Sequence, residues 1–150
     1  MGLYYFDTSA VVKLYIREPG TDRILRLASR QADNRMKILS LTVVEFRSAI
    51  RTRECSGDID QAAAARTIAK FEHHLESRFL RQTMNESVVD TALDLIDRYP
   101  LRAYDALQLA GCLTLRASGG GDHPFFVCAD QTLLVAAQSE GLSTIDPAAA

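Results

Sequence analysis

Cysteine is scarce in this chain: Cys55, Cys112 and Cys128 are the whole set, and no two of them form a CxxC or similar pair. An odd, widely spaced set argues against a disulfide framework and a structural zinc site, and it fits a reducing compartment. Lysine is equally sparse, limited to Lys13, Lys37 and Lys70, so the remaining cationic charge is carried by arginine. No GxxxxGK[ST] or GxGxxG run occurs, which removes the glycine-loop way of cradling a nucleotide. No stretch approaches the ~18 apolar residues of a membrane helix. The opening MGLYYFDTSAVV carries no charged region ahead of its apolar run, so it does not read as a signal peptide. A soluble, cytoplasmic protein without a membrane partner is expected. The formal charge of -2 offers no global attraction for nucleic acid. Arginine forks could still build a local phosphate-binding surface.

What is present is an ordinary globular composition, 47% hydrophobic and 24% charged over 150 residues, enough for one domain with a proper core. We expect that domain to span residues 1–146, with a frayed tail at 147–150. Leu3, Tyr4, Tyr5 and Phe6 form a short aromatic run that reads as a buried strand, ending at the capping residues Asp7, Thr8 and Ser9. A helix is expected over 22–32 with Ile24, Leu25 and Leu27 on its apolar side, then a strand over 37–40. Thr42 opens a helix with Val43, Phe46 and Ile50 at helical spacing. An alanine-rich helix over 60–75 precedes an edge strand over 79–83. Asn85 caps a helix whose Val88, Val89, Ala92, Leu93 and Ile96 form an apolar stripe. Residues 104–115 make a strongly apolar helix, followed by a glycine hinge at 119–121 and a buried strand over 125–128. Asp130 caps a last helix to Ser139, and 142–145 form a closing strand. Strands alternating with helices predict an α/β fold, a three-layer α/β/α sandwich on a mostly parallel sheet.

Four acids, Asp7, Glu45, Asp105 and Asp130, fall at predicted junctions from strand to helix. In a parallel sheet such junctions open on one carboxyl edge, so acids distant in sequence can gather there. Each has an ordinary explanation taken singly. Asp7 and Asp130 are good N-caps, Thr42 to Glu45 matches a capping box, and Asp105 suits the first turn of a helix. Asp105, however, sits among Ala103, Ala106, Leu107 and Leu109, where a carboxylate needs a partner. Four carboxylates brought together must protonate, separate or bind a cation, and hard oxygen ligands suit Mg²⁺ or Mn²⁺. Such ions in turn suit phosphoryl chemistry. The histidines fit this less well, since His73 and His74 are adjacent on a helix and cannot share a face, and His123 lies beside the glycine loop.

The four segments together resemble the PIN-domain nucleases, and within them the VapC-type toxins. The segments are Phe6-Asp7-Thr8-Ser9-Ala10, then residues 40–45 ending at Glu45, then 100–110 around Tyr104-Asp105-Ala106-Leu107-Gln108, then 126–130 ending at Asp130. The resemblance spans nearly the whole chain, and all four acid positions are filled. It implies a Mg²⁺- or Mn²⁺-dependent endoribonuclease, with Asp7, Glu45, Asp105 and Asp130 as catalytic and metal-binding residues. Thr8 and Ser9 resemble the hydroxyls that assist such sites. RNA is the implied substrate, a small cognate antitoxin the implied partner and a homodimer the implied assembly. Apolar residues of the first two helices (Val12, Tyr15, Ile16, Leu27) are candidates for that contact. Arg47, Arg51 or Arg102 could meet RNA phosphates. A non-catalytic RNA- or protein-binding module on the same fold is the alternative, and loss of one acid would have favoured it.

Overall fold

The computed structural model describes residues 1–149. Its sheet has five strands: β1 (Leu3–Phe6), β2 (Arg35–Leu39), β3 (Phe79–Gln82), β4 (Phe125–Val127) and β5 (Ser143–Ile145). They lie in the order β3-β2-β1-β4-β5, and every pairing is parallel. Seven α-helices are seen among the described residues: α1 (Thr8–Val12), α2 (Thr21–Ala28), α3 (Leu41–Cys55), α4 (Gln61–Ser77), α5 (Glu86–Arg98), α6 (Ala103–Ser118) and α7 (Gln131–Ser139).

Side chains alternate across a strand, and both faces of this sheet are covered, which is why the strands read as unbroken apolar runs. Tyr5, Leu39 and Phe126 point to one face, into a core completed by α5, α6 and α7. Phe6, Ile38 and Val127 point to the other, into a core completed by α1, α2, α3 and α4. The result is the expected three-layer α/β/α sandwich, with no antiparallel strand among the described residues.

Several local expectations are corrected. Helix α2 stops at Ala28 instead of Ala32, because Ser29 turns extended and its hydroxyl caps a short 3-10 turn over Arg30–Ala32. Leu25 is exposed, so Ile24 alone of the three apolar residues is fully in the core. The α5 stripe divides: Val88, Ala92 and Leu95 are buried, whereas Val89, Leu93 and Ile96 face solvent. Both sets have the same helical spacing, so periodicity could not choose between them. Val12 lies in the core, and Tyr15, Ile16 and Leu27 pack partly buried against it.

The carboxyl-terminal segment turns at Asp146, whose carbonyl accepts from Ala149 N at 3.2 Å, and Pro147 is buried. Pro147 packs on Gly20, where a Cβ would stand 2.8 Å from the proline carbonyl carbon. Ala150, the last residue of the expected tail, lies outside the described residues.

Candidate active site

The chain moves outward from β1 to β2 and β3, then returns to the other side of β1 to form β4 and β5. That reversal leaves a crevice at the carboxyl ends of β1 and β4, the usual ligand position in open α/β sheets. Asp7 follows β1 directly, with its backbone N–H held by the Val127 carbonyl at 3.1 Å. Its Oδ1 accepts from Ala10 N at 3.0 Å, as an N-cap, and from the Ser9 hydroxyl at 2.7 Å. Ser9 Oγ in turn accepts from Ala129 N at 3.2 Å, tying the end of β1 to the end of β4. Capping and site formation are therefore one geometry at Asp7.

Asp7 is only 4% exposed. Burial pushes its carboxyl up to about 6; hydrogen bonds from Ser9, Cys128 and Ala10 oppose this, and the nearby Asp105 charge adds to it. The buried Cys128 thiol beside it is held in its protonated form, chiefly by burial and next by the charge on Asp7.

Glu45 is not part of a capping box. Helix α3 begins one residue earlier than expected, at Leu41, and its N-cap Ser40 makes no side-chain cap bond. Thr42 is therefore inside the helix and fully buried. Glu45, one turn further on, is turned toward α1 and α6. Its Oε1 accepts from the Thr8 hydroxyl at 2.8 Å and from Gln108 Nε2 at 2.7 Å. The Gln108 amide also reaches Thr42 Oγ1 at 2.9 Å, while its Oε1 accepts from the Tyr5 hydroxyl at 3.3 Å. The carboxylate dictates which way this amide points, because a carbonyl oxygen turned toward Glu45 would meet like charge. Tyr5 remains a donor, as burial raises its phenol well above the ordinary range.

Asp105 lies in the first turn of α6. This helix is reached from α5 through residues 99–102, not from a strand, so one of the four junctions differs from expectation. Asp130 follows β4 and caps α7, its Oδ1 accepting from Leu133 N at 3.0 Å. Arg102 joins the two: its Nε donates to Asp105 Oδ2 at 2.9 Å, and its Nη2 is 3.6 Å from Asp130 Oδ2. Interaction with Asp105 first, then with Asp130 and Glu45, raises the arginine further above its usual range.

Among the described residues, no group of three or more His, Cys, Asp or Glu side chains is drawn tightly enough together to hold a metal ion. The Arg102 guanidinium provides the positive charge instead. It is 79% exposed, and an exposed ion pair opens at little cost, so it is a removable occupant. The donor set itself suits a hard cation, being all carboxylate and hydroxyl oxygen. Asp130 keeps Oδ2 clear of its cap, and Glu45 takes both of its hydrogen bonds on Oε1.

Thr8 and Ser9 thus each orient one acid. Two participants were not expected from the sequence. Gln108 was visible only as a polar residue in an otherwise apolar run, and Tyr5 read simply as core. The histidines stand apart: His74 Nδ1 is 2.7 Å from the Tyr15 hydroxyl, and His123 is exposed.

The PIN domain model matches residues 4–119, and the chain belongs to that family. Solved structures share the fold at low sequence identity. A toxin-antitoxin complex from Klebsiella pneumoniae aligns with TM-score 0.67 and 14% identity, covering 96% of this chain and 97% of that one. DNA-bound VapBC from Salmonella typhimurium gives 0.63 and 16%, covering 98% and 99%. PAE2754 from Pyrobaculum aerophilum gives 0.61 and 23%, covering 97% and 90%. No curated protein matches the chain significantly. No helix among the described residues is long and apolar enough to cross a membrane.

Proposed function

We propose that this PIN domain is a metal-dependent endoribonuclease, the toxin of a toxin–antitoxin pair, with its nuclease unit spanning residues 1–146. The observation that carries the reading is the paired arrangement around Asp7 and Glu45. Each carboxylate is oriented by a neighbouring hydroxyl of the same short segment, Ser9 and Thr8 respectively. The crevice is also the one the sheet topology favours for a ligand.

Asp7, Glu45, Asp105 and Asp130 would hold Mg²⁺ or Mn²⁺. When bound, the ion would supply an activated water and charge neutralisation at the phosphodiester. The chain's own contribution is positional. Ser9 and Ala10 fix Asp7, Thr8 and Gln108 fix Glu45, and Arg102 is placed to leave the acids for a substrate phosphate. Pre-set ligands lose less freedom on binding, so more of the interaction energy reaches the transition state.

The antitoxin reading rests on the structural neighbours, among them the toxin-antitoxin complex from Klebsiella pneumoniae and DNA-bound VapBC from Salmonella typhimurium. It is supported by a groove of about 450 Å³ with an apolar floor of Leu14, Tyr15 and Met36, rimmed by Arg30, Lys70 and Arg78. Such a groove suits an amphipathic segment bearing acidic residues. Exposed Val89, Leu93 and Ile96 on α5 offer an apolar strip for a homodimer.

The test is cleavage of single-stranded RNA by the purified chain in Mn²⁺, together with growth on expression. Activity lost in Asp7→Asn and Glu45→Gln with the fold intact by circular dichroism is the expected result. Growth should slow with the wild type and recover when the adjacent small gene is co-expressed. Full RNase activity in both variants would overturn the assignment.

A further inference from the structure

Immediately beside the acids is a second cleft, of about 380 Å³. Thr8 and Glu45 form one wall of it, so it is continuous with the candidate active site. Val44 and Ser48 line it from the same face of α3 as Glu45, and Tyr104 lines it from α6. Val44 is 68% exposed and Tyr104 62% exposed. Each directly precedes one of the site acids in sequence. Beside a carboxylate site, an exposed aromatic ring and a branched apolar side chain offer apolar surface that a bound ligand can cover.

We infer that this cleft is a nucleobase slot, in which a base of single-stranded RNA next to the scissile phosphate stacks on Tyr104 and Val44. The inference rests on the ribonuclease reading above. Its chemistry selects a neutral planar group. Glu45 in the wall repels a phosphate or an acidic side chain from the slot itself, while a base carries no charge. Every base has a π-face to offer the phenol ring, and Ser48 can donate to or accept from a base edge. A second copy of the chain is a poorer occupant. Two large exposed side chains fall well short of the roughly 800 Å² per partner of a standard interface. A duplex is also disfavoured, since its bases are already stacked and a slot of this kind takes only one that is splayed out.

The slot is tested with the full chain in Mg²⁺ and a set of single-stranded RNAs. One set carries 2-aminopurine at successive positions around the cleavage site, and a matched set carries an abasic ribose there. At one position, binding should change 2-aminopurine fluorescence in the wild type and in Tyr104→Trp, but not in Tyr104→Ala. The abasic ribose at that position should lower kcat/KM by about 5- to 150-fold in the wild type and leave Tyr104→Ala unaffected. Equal abasic penalties in the wild type and Tyr104→Ala would overturn the slot while leaving the nuclease reading standing. A chain that binds RNA with the fluorescence change but never cleaves it would keep the slot and end the nuclease reading. Should Tyr104→Ala convert a dimer to a monomer in light scattering without altering the fluorescence response, the cleft is a contact between copies and the inference fails.

Discussion

Replacing Asp7 by Asn should make the metal-free protein more stable, although Asp7 lies at the centre of the site. In the folded state burial raises this carboxyl from 3.8 to about 6. At about 1.4 kcal/mol per unit, the ionised form costs the fold ~3 kcal/mol at neutral pH and above. The sign follows from proton binding. Between the two values the folded chain holds a proton that the unfolded chain has released. This contribution is therefore fully present below about pH 4 and is lost as pH rises through about 6. Asn is a permanent neutral mimic that keeps an oxygen for Ala10 N and the Ser9 hydroxyl. Its amide hydrogens must find the Cys128 sulfur or Asp105, so part of the gain will be given back. We expect Asp7→Asn to be ~1–3 kcal/mol more stable than the wild type at about pH 8 in EDTA, with the difference vanishing near about pH 4. Urea denaturation across this range measures it directly. Added Mg²⁺ should then stabilise the wild type and not the variant. A difference that is independent of pH, or a variant less stable at the alkaline end, would refute an ionised, desolvated carboxylate at this position.

Gln108→Leu should weaken Mn²⁺ binding and RNase activity by about 10- to 100-fold, because Glu45 loses the amide that orients it; unchanged Mn²⁺ affinity by calorimetry would show that Gln108 serves only the core. Arg102→Ala should tighten Mn²⁺ binding with no measurable change in the thermal melt, since an exposed guanidinium is being removed from Asp105 and Asp130; weaker metal binding would contradict its role as a removable cation. Gly111→Ala should lower both stability and metal affinity. Its Cβ would stand 2.2 Å from the Tyr5 hydroxyl and force Tyr5 off Gln108, so a variant with wild-type metal affinity would uncouple Tyr5 from the site.

The fold class and the positions of Asp7 and Asp130 just past the ends of β1 and β4 were legible because both depend on local patterns. Aromatic and aliphatic runs such as those at β1 and β4 predict strands covered on both faces, and acids at their ends predict a carboxyl-edge site. The caps expected at Asp7, Asn85 and Asp130 are observed, each accepting from the backbone N–H three residues on. Capping depends on neighbours in sequence, so the chain itself determines it. The glycine-bearing end of α7 is local in the same way, with Gly141 at a φ of 83°.

Tertiary structure decided what depends on which surfaces meet. Glu45 and Thr42 satisfy a capping-box pattern, yet Gln108, 63 residues from Glu45, takes the carboxylate instead. The two apolar rows of α5 are equivalent by spacing, and only packing against α6 determines that Val88, Ala92 and Leu95 are the buried row. Arg102 reads as surface charge until the reversal of strand order brings Asp130 beside Asp105. A capping bond is fixed within four residues of chain. The partner of a buried amide, or the cation between two acids, is fixed by long-range closure of the sheet, and periodicity carries no record of it.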